Sequence, residues 1–293
     1  MSDLPTEKPN ILKQTYSEIT QPFKDLLKAS RALWGINLSY FLEGLTYFGV
    51  VGLLAIYFNE YTGLNDIHAG QMVGFLTAGI TLSMLVLGAT VDIIGLRKSL
   101  LISLLIILIG RILLTLAPSL SPNTGLWSSN HIIAMLGIFG VIIGYGIYQP
   151  ACYAGIKQVT NEKTAAMGYA MLYALMNLGG FLPGLISPPI RKSFGISGVF
   201  WVYVILTVIT LAIVAIILTN KAIKDVTSKN PKESQQAEDE ISNLPLKEKM
   251  KYYYKNFPLR DVRFLFFIFI LIPVQTLFAH NWLTLPQYCS RAF

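Results

Sequence analysis

Long apolar runs alternate along this chain with short polar interruptions. Seven runs approach or exceed the roughly 20 apolar residues that a bilayer-spanning helix needs. They cover 33–58, 69–91, 100–117, 132–154, 165–186, 199–218 and 264–285. Period-two alternation is not sustained over such lengths, so the runs predict helices rather than strands. Ahead of the first, residues 17–33 place Phe23, Leu26, Leu27 and Leu33 roughly on one side at helical spacing, which predicts a helix lying on the membrane surface. Between the sixth and seventh runs, 221–246 is rich in Lys, Glu, Ser, Gln, Asp and Pro and predicts a linker. The expected organisation is a tail with a surface helix at 1–32, a six-helix bundle at 33–219, a linker at 220–263, and a seventh helix within 264–293.

Composition agrees with this pattern. Apolar residues make up 53% of the chain and charged residues 13%, against about 25% charged in a soluble domain. Lipid is therefore the expected solvent, and the chain is read as an all-α, multi-pass integral membrane protein. The formal charge of +7 suggests topology rather than nucleic acid, because the basic residues sit in the tail and the loops. Lys8, Lys13, Lys24, Lys28 and Arg31 precede the first run, and 59–68 has no Lys or Arg. Arg97 and Lys98 mark the next loop, 118–131 again has none, and Lys157 and Lys163 mark the fourth. Arg191 and Lys192, in the fifth, break the alternation. Basic residues recur through 220–263, so this loop and the N-terminus are expected on the cytoplasmic side of a plasma (inner) membrane. The polar first 30 or so residues do not read as a cleavable signal peptide. Cys152 and Cys289 suggest neither a disulfide framework nor metal spacing.

The most distinctive polar signature lies between the second and third runs: Gly88, Asp92, Gly95, Arg97 and Lys98 in GATVDIIGLRK. It resembles the loop between helices two and three of the major facilitator superfamily, roughly G-x-L-A-D-R-x-G-R-K, with Thr90 and Ile93 replacing the Leu and the first Arg. Three further stretches are similar to motifs of the proton-dependent oligopeptide transporters. They are YFLEGLTYFG at 40–49, GYGIYQP at 144–150 and YAMLYALMNLG at 169–179. The family forms are E-x-x-E-R-F-x-Y-Y-G, G-x-G-x-x-K-P and F-Y-x-x-I-N-x-G. The resemblance implies a facilitator N-terminal six-helix bundle plus one further helix that opens an incomplete second half. The opposite wall of the cavity would then come from a second subunit or a C-terminal half. Glu43 matches the second Glu of the first motif, whereas Tyr40 replaces the first Glu, Gly44 the Arg, and Gln149 the Lys of the second motif. In the family those charged groups serve proton coupling and hold the peptide carboxylate.

Several residues are candidates for chemistry. Glu43 falls near mid-membrane, where an ionisable residue costs about 2.5–3.5 kcal/mol unless it faces protein or water. It is either a protonatable coupling site or a carboxyl that ties helices together. Arg111 falls at similar depth and either pairs with Glu43 or snorkels to the outer headgroups. Tyr40 and Tyr47 share the helical face of Glu43, and Tyr145, Gln149 and Cys152 share another. Tyr169, Tyr173 and Asn177 recur every fourth residue, so Tyr173 and Asn177 either contact substrate or join helices. Tyr40, Tyr47, Tyr145, Gln149, Tyr173 and Asn177 are the substrate-cavity candidates. Gly137, Gly140 and Gly144 form a small-residue face suited to close packing. By the resemblance, Asp92 acts against a helix of the second half and helps hold the outward-facing state; locally, it would cap the helix that follows. His280 and Asn281 either line the cavity or sit at the membrane interface.

Walker, HExxH and GxSxG constellations are missing, so enzyme catalysis is not expected, and no cofactor or metal is called for. The expected activity is secondary transport of a small solute, a di- or tripeptide or related zwitterion, by proton symport. The expected partners are the lipid bilayer, the solute and protons. Rival readings are a facilitator for a drug, nitrate or metabolite, a seven-helix receptor, and a non-transporting half-carrier.

Overall fold

A computed structural model describes residues 29–227, single positions at 245, 248, 251, 252 and 255, and residues 261–283. Most of the expected surface helix at 17–33, most of the 220–263 linker and Cys289 lie outside the described residues. Leu33 belongs to the first membrane helix instead. The described elements are α1 (Arg31–Thr62), α2 (Asp66–Leu87), α3 (Thr90–Ile94), α4 (Leu96–Leu120), α5 (Ser129–Val159), α6 (Glu162–Phe181), α7 (Pro183–Ile217), α8 (Asn220–Thr227) and α9 (Val262–Leu283).

Short polar side chains start these helices by accepting bonds from otherwise unpaired N–H groups. Ser30 accepts from Leu33 N (3.2 Å), Asn65 from His68 N (2.9 Å) and Ser128 from His131 N (3.2 Å). Asn161 and Thr164 form a reciprocal box at the start of α6. α1 stops at Gly63, whose φ of 67° is left-handed.

The fifth and sixth runs form one helical stretch, 164–217, of 54 residues. At about 1.5 Å per residue it would be roughly 80 Å long, more than twice a hydrocarbon core of about 30 Å. Gly195 divides it, with φ 67° and ψ −173°, backbone angles that are essentially glycine-only. The fifth rod therefore reaches Phe194 rather than ending near residue 186, and Pro188 and Pro189 lie inside it. Arg191 and Lys192 thus belong to the last turns of this rod rather than to the fifth loop. Arg191 pairs there with Glu60 on α1 at 2.8 Å.

With 164–217 counted as two rods, six rods surround a core that includes Leu54 and Tyr57 of α1, Leu104 and Ile107 of α4, Ile156 of α5 and Phe200 of α7. Apolar side chains such as Val86, Phe139, Ile205 and Ile216 point outward, as lipid-facing positions should. In lipid, helices associate through close packing rather than hydrophobic expulsion. α4 and α5 accordingly make the most extensive contact, across Gly110 and Gly137. A Cβ on Gly110 would lie 2.6 Å from the Gly137 carbonyl oxygen, and one on Gly137 would lie 2.6 Å from that of Gly110. α9 exposes Phe266, Phe267, Phe269 and Ile270, so its apolar side chains point to more than one side.

Candidate functional site

Four helices bring polar side chains to one depth. Measured from the helix ends nearest the linker, Glu43 on α1, Arg111 on α4, Tyr145 on α5 and Thr207 on α7 lie roughly 15–22 Å along their axes. All four are buried, with the Arg111 side chain 3% and that of Glu43 1% exposed. The sequence left Arg111 between two readings, and the geometry selects the pairing with Glu43.

Arg111 Nη1 donates to Glu43 Oε1 at 3.0 Å and to Thr207 Oγ1. Nη2 lies 2.9 Å from Glu43 Oε2 and donates to the Tyr145 hydroxyl at 2.7 Å. That hydroxyl in turn donates to Glu43 Oε2 at 2.8 Å. Thr46 Oγ1 approaches the same oxygen at 3.3 Å. Thr207 donates to the Tyr203 carbonyl at 2.8 Å, which leaves its lone pair for Arg111. The Tyr203 hydroxyl meets Ser187 Oγ at 2.7 Å. Both terminal nitrogens of the guanidinium and both carboxylate oxygens are thus engaged. This fork-on-fork geometry is the condition under which a buried pair recovers its desolvation cost.

Beside the pair runs a narrow crevice lined by Tyr40, Glu43, Gly44, Tyr47, Tyr145, Tyr148, Gln149 and Met176. It therefore gathers Glu43 and four of the predicted cavity residues: Tyr40, Tyr47, Tyr145 and Gln149. Tyr40 stacks on Tyr148 at 6.2 Å between ring centroids, and Tyr47 meets Tyr145 edge-on at 5.2 Å. Tyr173 and Asn177 lie outside the crevice. Both are exposed on α6, where Asn177 Nδ2 donates to the Tyr173 carbonyl at 2.8 Å. Thr46, Ser187, Tyr203 and Thr207 escaped the sequence reading. The spacing of Tyr203, Thr207 and Thr210 through an otherwise apolar run was the available signal.

The loop signature also takes shape. Gly88 packs where a Cβ would meet the Met84 carbonyl at 2.6 Å, with Pro150 close by. Asp92 sits in the first turn of α3, suited to the positive end of a helix. It is not the cap of the following helix: the N-cap of α4 is Gly95, at φ 85°, and no side chain caps that end. Arg97 Nη2 donates to the Ala215 carbonyl near the end of α7 at 3.2 Å, while Lys98 is exposed. Cys152 is buried and unpaired. The side chains of His280 and Asn281 lie outside the described residues.

Comparison with known proteins places this architecture. Over 177 residues, 59% of the chain is 23% identical to dipeptide and tripeptide permease A of Chromobacterium violaceum, a region that is 33% of that protein. Among solved structures, a peptide transporter POT in complex with sulfate matches 89% of the chain at 17% identity and a TM-score of 0.60, over 49% of its own length. A POT family transporter in complex with 5-aminolevulinic acid matches 86% of the chain at 22% identity and a TM-score of 0.56, over 47% of its length. The chain thus spans about a third of the permease and about half of each solved transporter. At these identities the structural likeness establishes the fold. The sequence profile of the Major Facilitator Superfamily matches residues 36–290, and with the bundle and its loop signature this gives the assignment: the chain belongs to the major facilitator superfamily.

Proposed function

We propose that this chain supplies the N-terminal wall of a secondary transporter for small solutes of the di- or tripeptide class, with Glu43 as its proton-coupling group and Arg111 as the counter-charge. The observation that carries the reading is the enclosed Glu43–Arg111–Tyr145–Thr207 cluster beside the crevice. Its carboxylate ties α1 to α4 through Arg111 and to α5 through Tyr145, and Arg111 in turn reaches Thr207 on α7. Protonation removes one charge of the pair and loosens that tie, so proton occupancy and helix packing are linked in the manner alternating access requires. Gly88, Asp92, Gly95, Arg97 and Lys98 form the gating loop on the linker side, with the N-terminus cytoplasmic. A second half or second subunit supplies the opposite wall, in keeping with a match to about half of each solved transporter.

Uptake in proteoliposomes by a complete transporter, in which this chain has its opposite wall, tests this. With an inward proton gradient, labelled dipeptide should accumulate above equilibrium. Glu43→Gln should abolish that accumulation while leaving solute exchange, which moves no net proton. Undiminished pH-driven accumulation by Glu43→Gln would reject the coupling role.

A further inference from the structure

The crevice wall has a chemical character that narrows the solute. Among the described membrane helices, Arg111 is the sole basic side chain at mid-depth; Arg31, Arg97, Lys98, Lys157, Arg191 and Lys192 all lie near helix ends. Arg111 is buried behind Glu43, and both terminal nitrogens are held by Glu43, Tyr145 and Thr207. The pair is neutral as a unit. No other lining residue carries charge.

Gln149 and Tyr47 each bring a polar group to this wall. The Gln149 amide and the Tyr47 hydroxyl have no hydrogen-bond partner among the described residues, and both side chains are half-buried on the crevice. Of the other phenols, Tyr145 is engaged with Glu43 and Tyr148 with Ser39 Oγ at 3.2 Å, while Tyr40 sets its ring against Tyr148 and Tyr153. In a bilayer an unpaired amide is costly, so Gln149 calls for a partner from the cavity. An amide matches a carbonyl and an N–H, not a free negative charge. A carboxylate seated here would lose water with no cation to replace it, whereas a neutral amide would pair and an ammonium could lie against a tyrosine ring.

We propose that this wall recognises solutes whose acid end is blocked, as an amide, an ester or an amine, and that it offers no anchor for a free carboxylate. The inference rests on reading the crevice as a solute site, and it is independent of proton coupling.

Isothermal titration of the purified protein with Ala-Phe and with its C-terminal amide tests the proposal. The amide should bind at least as tightly as the acid. Gln149→Met should weaken amide binding by about tenfold, the loss of one or two hydrogen bonds. Gln149→Lys should shift preference toward the acid by about tenfold or more, because it places a cation where the amide stood. Since Gln149 is half-exposed, both variants should fold; equal yield and melting temperature check this. A native preference for the acid of tenfold or more, binding of neither ligand, or an unmoved ratio in Gln149→Lys would each overturn the proposal. Loss of proton drive alone would leave it standing, since binding is measured without a gradient.

Discussion

Replacing Arg111 with Leu while leaving Glu43 in place would strip a buried carboxylate of two charge-assisted contacts, at 3.0 and 2.9 Å. With charges about 4 Å apart and an effective permittivity near 20, their gross attraction is about 4 kcal/mol. Neither side chain is exposed enough for solvent to screen this appreciably. Breaking one side of a buried pair typically costs about 3–5 kcal/mol, because the survivor is left uncompensated. Tyr145 and Thr46 would still donate to Glu43, so the lower part of that range is expected, about 3 kcal/mol. Glu43→Gln removes the opposite charge and should cost a similar amount. In the double variant no uncompensated charge remains, so its loss should fall short of the sum by roughly 2–3 kcal/mol. The assay is equilibrium unfolding of the purified protein in mixed micelles, with all four members of the cycle measured at one pH. Losses that add to within about 0.5 kcal/mol would refute the argument that these two groups stabilise one another.

Other outcomes follow from the packing. Gly195→Ala should lower stability by about 1–3 kcal/mol, since alanine is strained at φ 67° and ψ −173°, and the loss should appear in the same unfolding assay. Gly110→Val should cost about as much through overpacking against the Gly137 carbonyl and the Val141 nitrogen, whereas Gly52→Ala, with nothing within 4 Å of its Cβ, should change little. Arg191→Ala should cost under about 1 kcal/mol, because its pair with Glu60 is exposed; a loss above 2 kcal/mol would contradict that. For topology, single cysteines at Asn65 and Ser234 should react with an impermeant reagent in intact cells at 65 alone.

The positions of the rods were legible because lipid imposes a single demand on them, a run of apolar residues long enough to cross. Where one rod ends was less legible. Arg191 and Lys192 read as a loop, since charge and two prolines usually mark one. In the fold they finish a helix, and the turn is made by Gly195 alone. Glu43 could be singled out from its depth, but its partner could not. Depth along a helix says nothing about azimuth, and Arg111 could equally have faced the headgroups. Thr207 was harder still, because threonine often bonds back to its own helix, as Thr207 does to Tyr203 here. Its second bond, to Arg111, depends on how α4 and α7 are rotated. The unpaired state of Gln149 likewise emerges only once its neighbours are placed.

The connections between rods bear on how such a chain tolerates insertions. One residue, Gly195, joins the fifth rod to the sixth, and two, Thr160 and Asn161, separate α5 from α6. Adjacent Cα atoms across a trans peptide are about 3.8 Å apart, so these joints have almost no slack. A duplicated codon, a transposon scar or an epitope tag placed there would have to push whole helices apart. The interval between Leu120 and Ser129 is longer, and a Cβ added to its Gly125 would meet open space. On the side away from the linker, length variation between descendants of this gene should collect at 121–128, while 195 stays fixed in length.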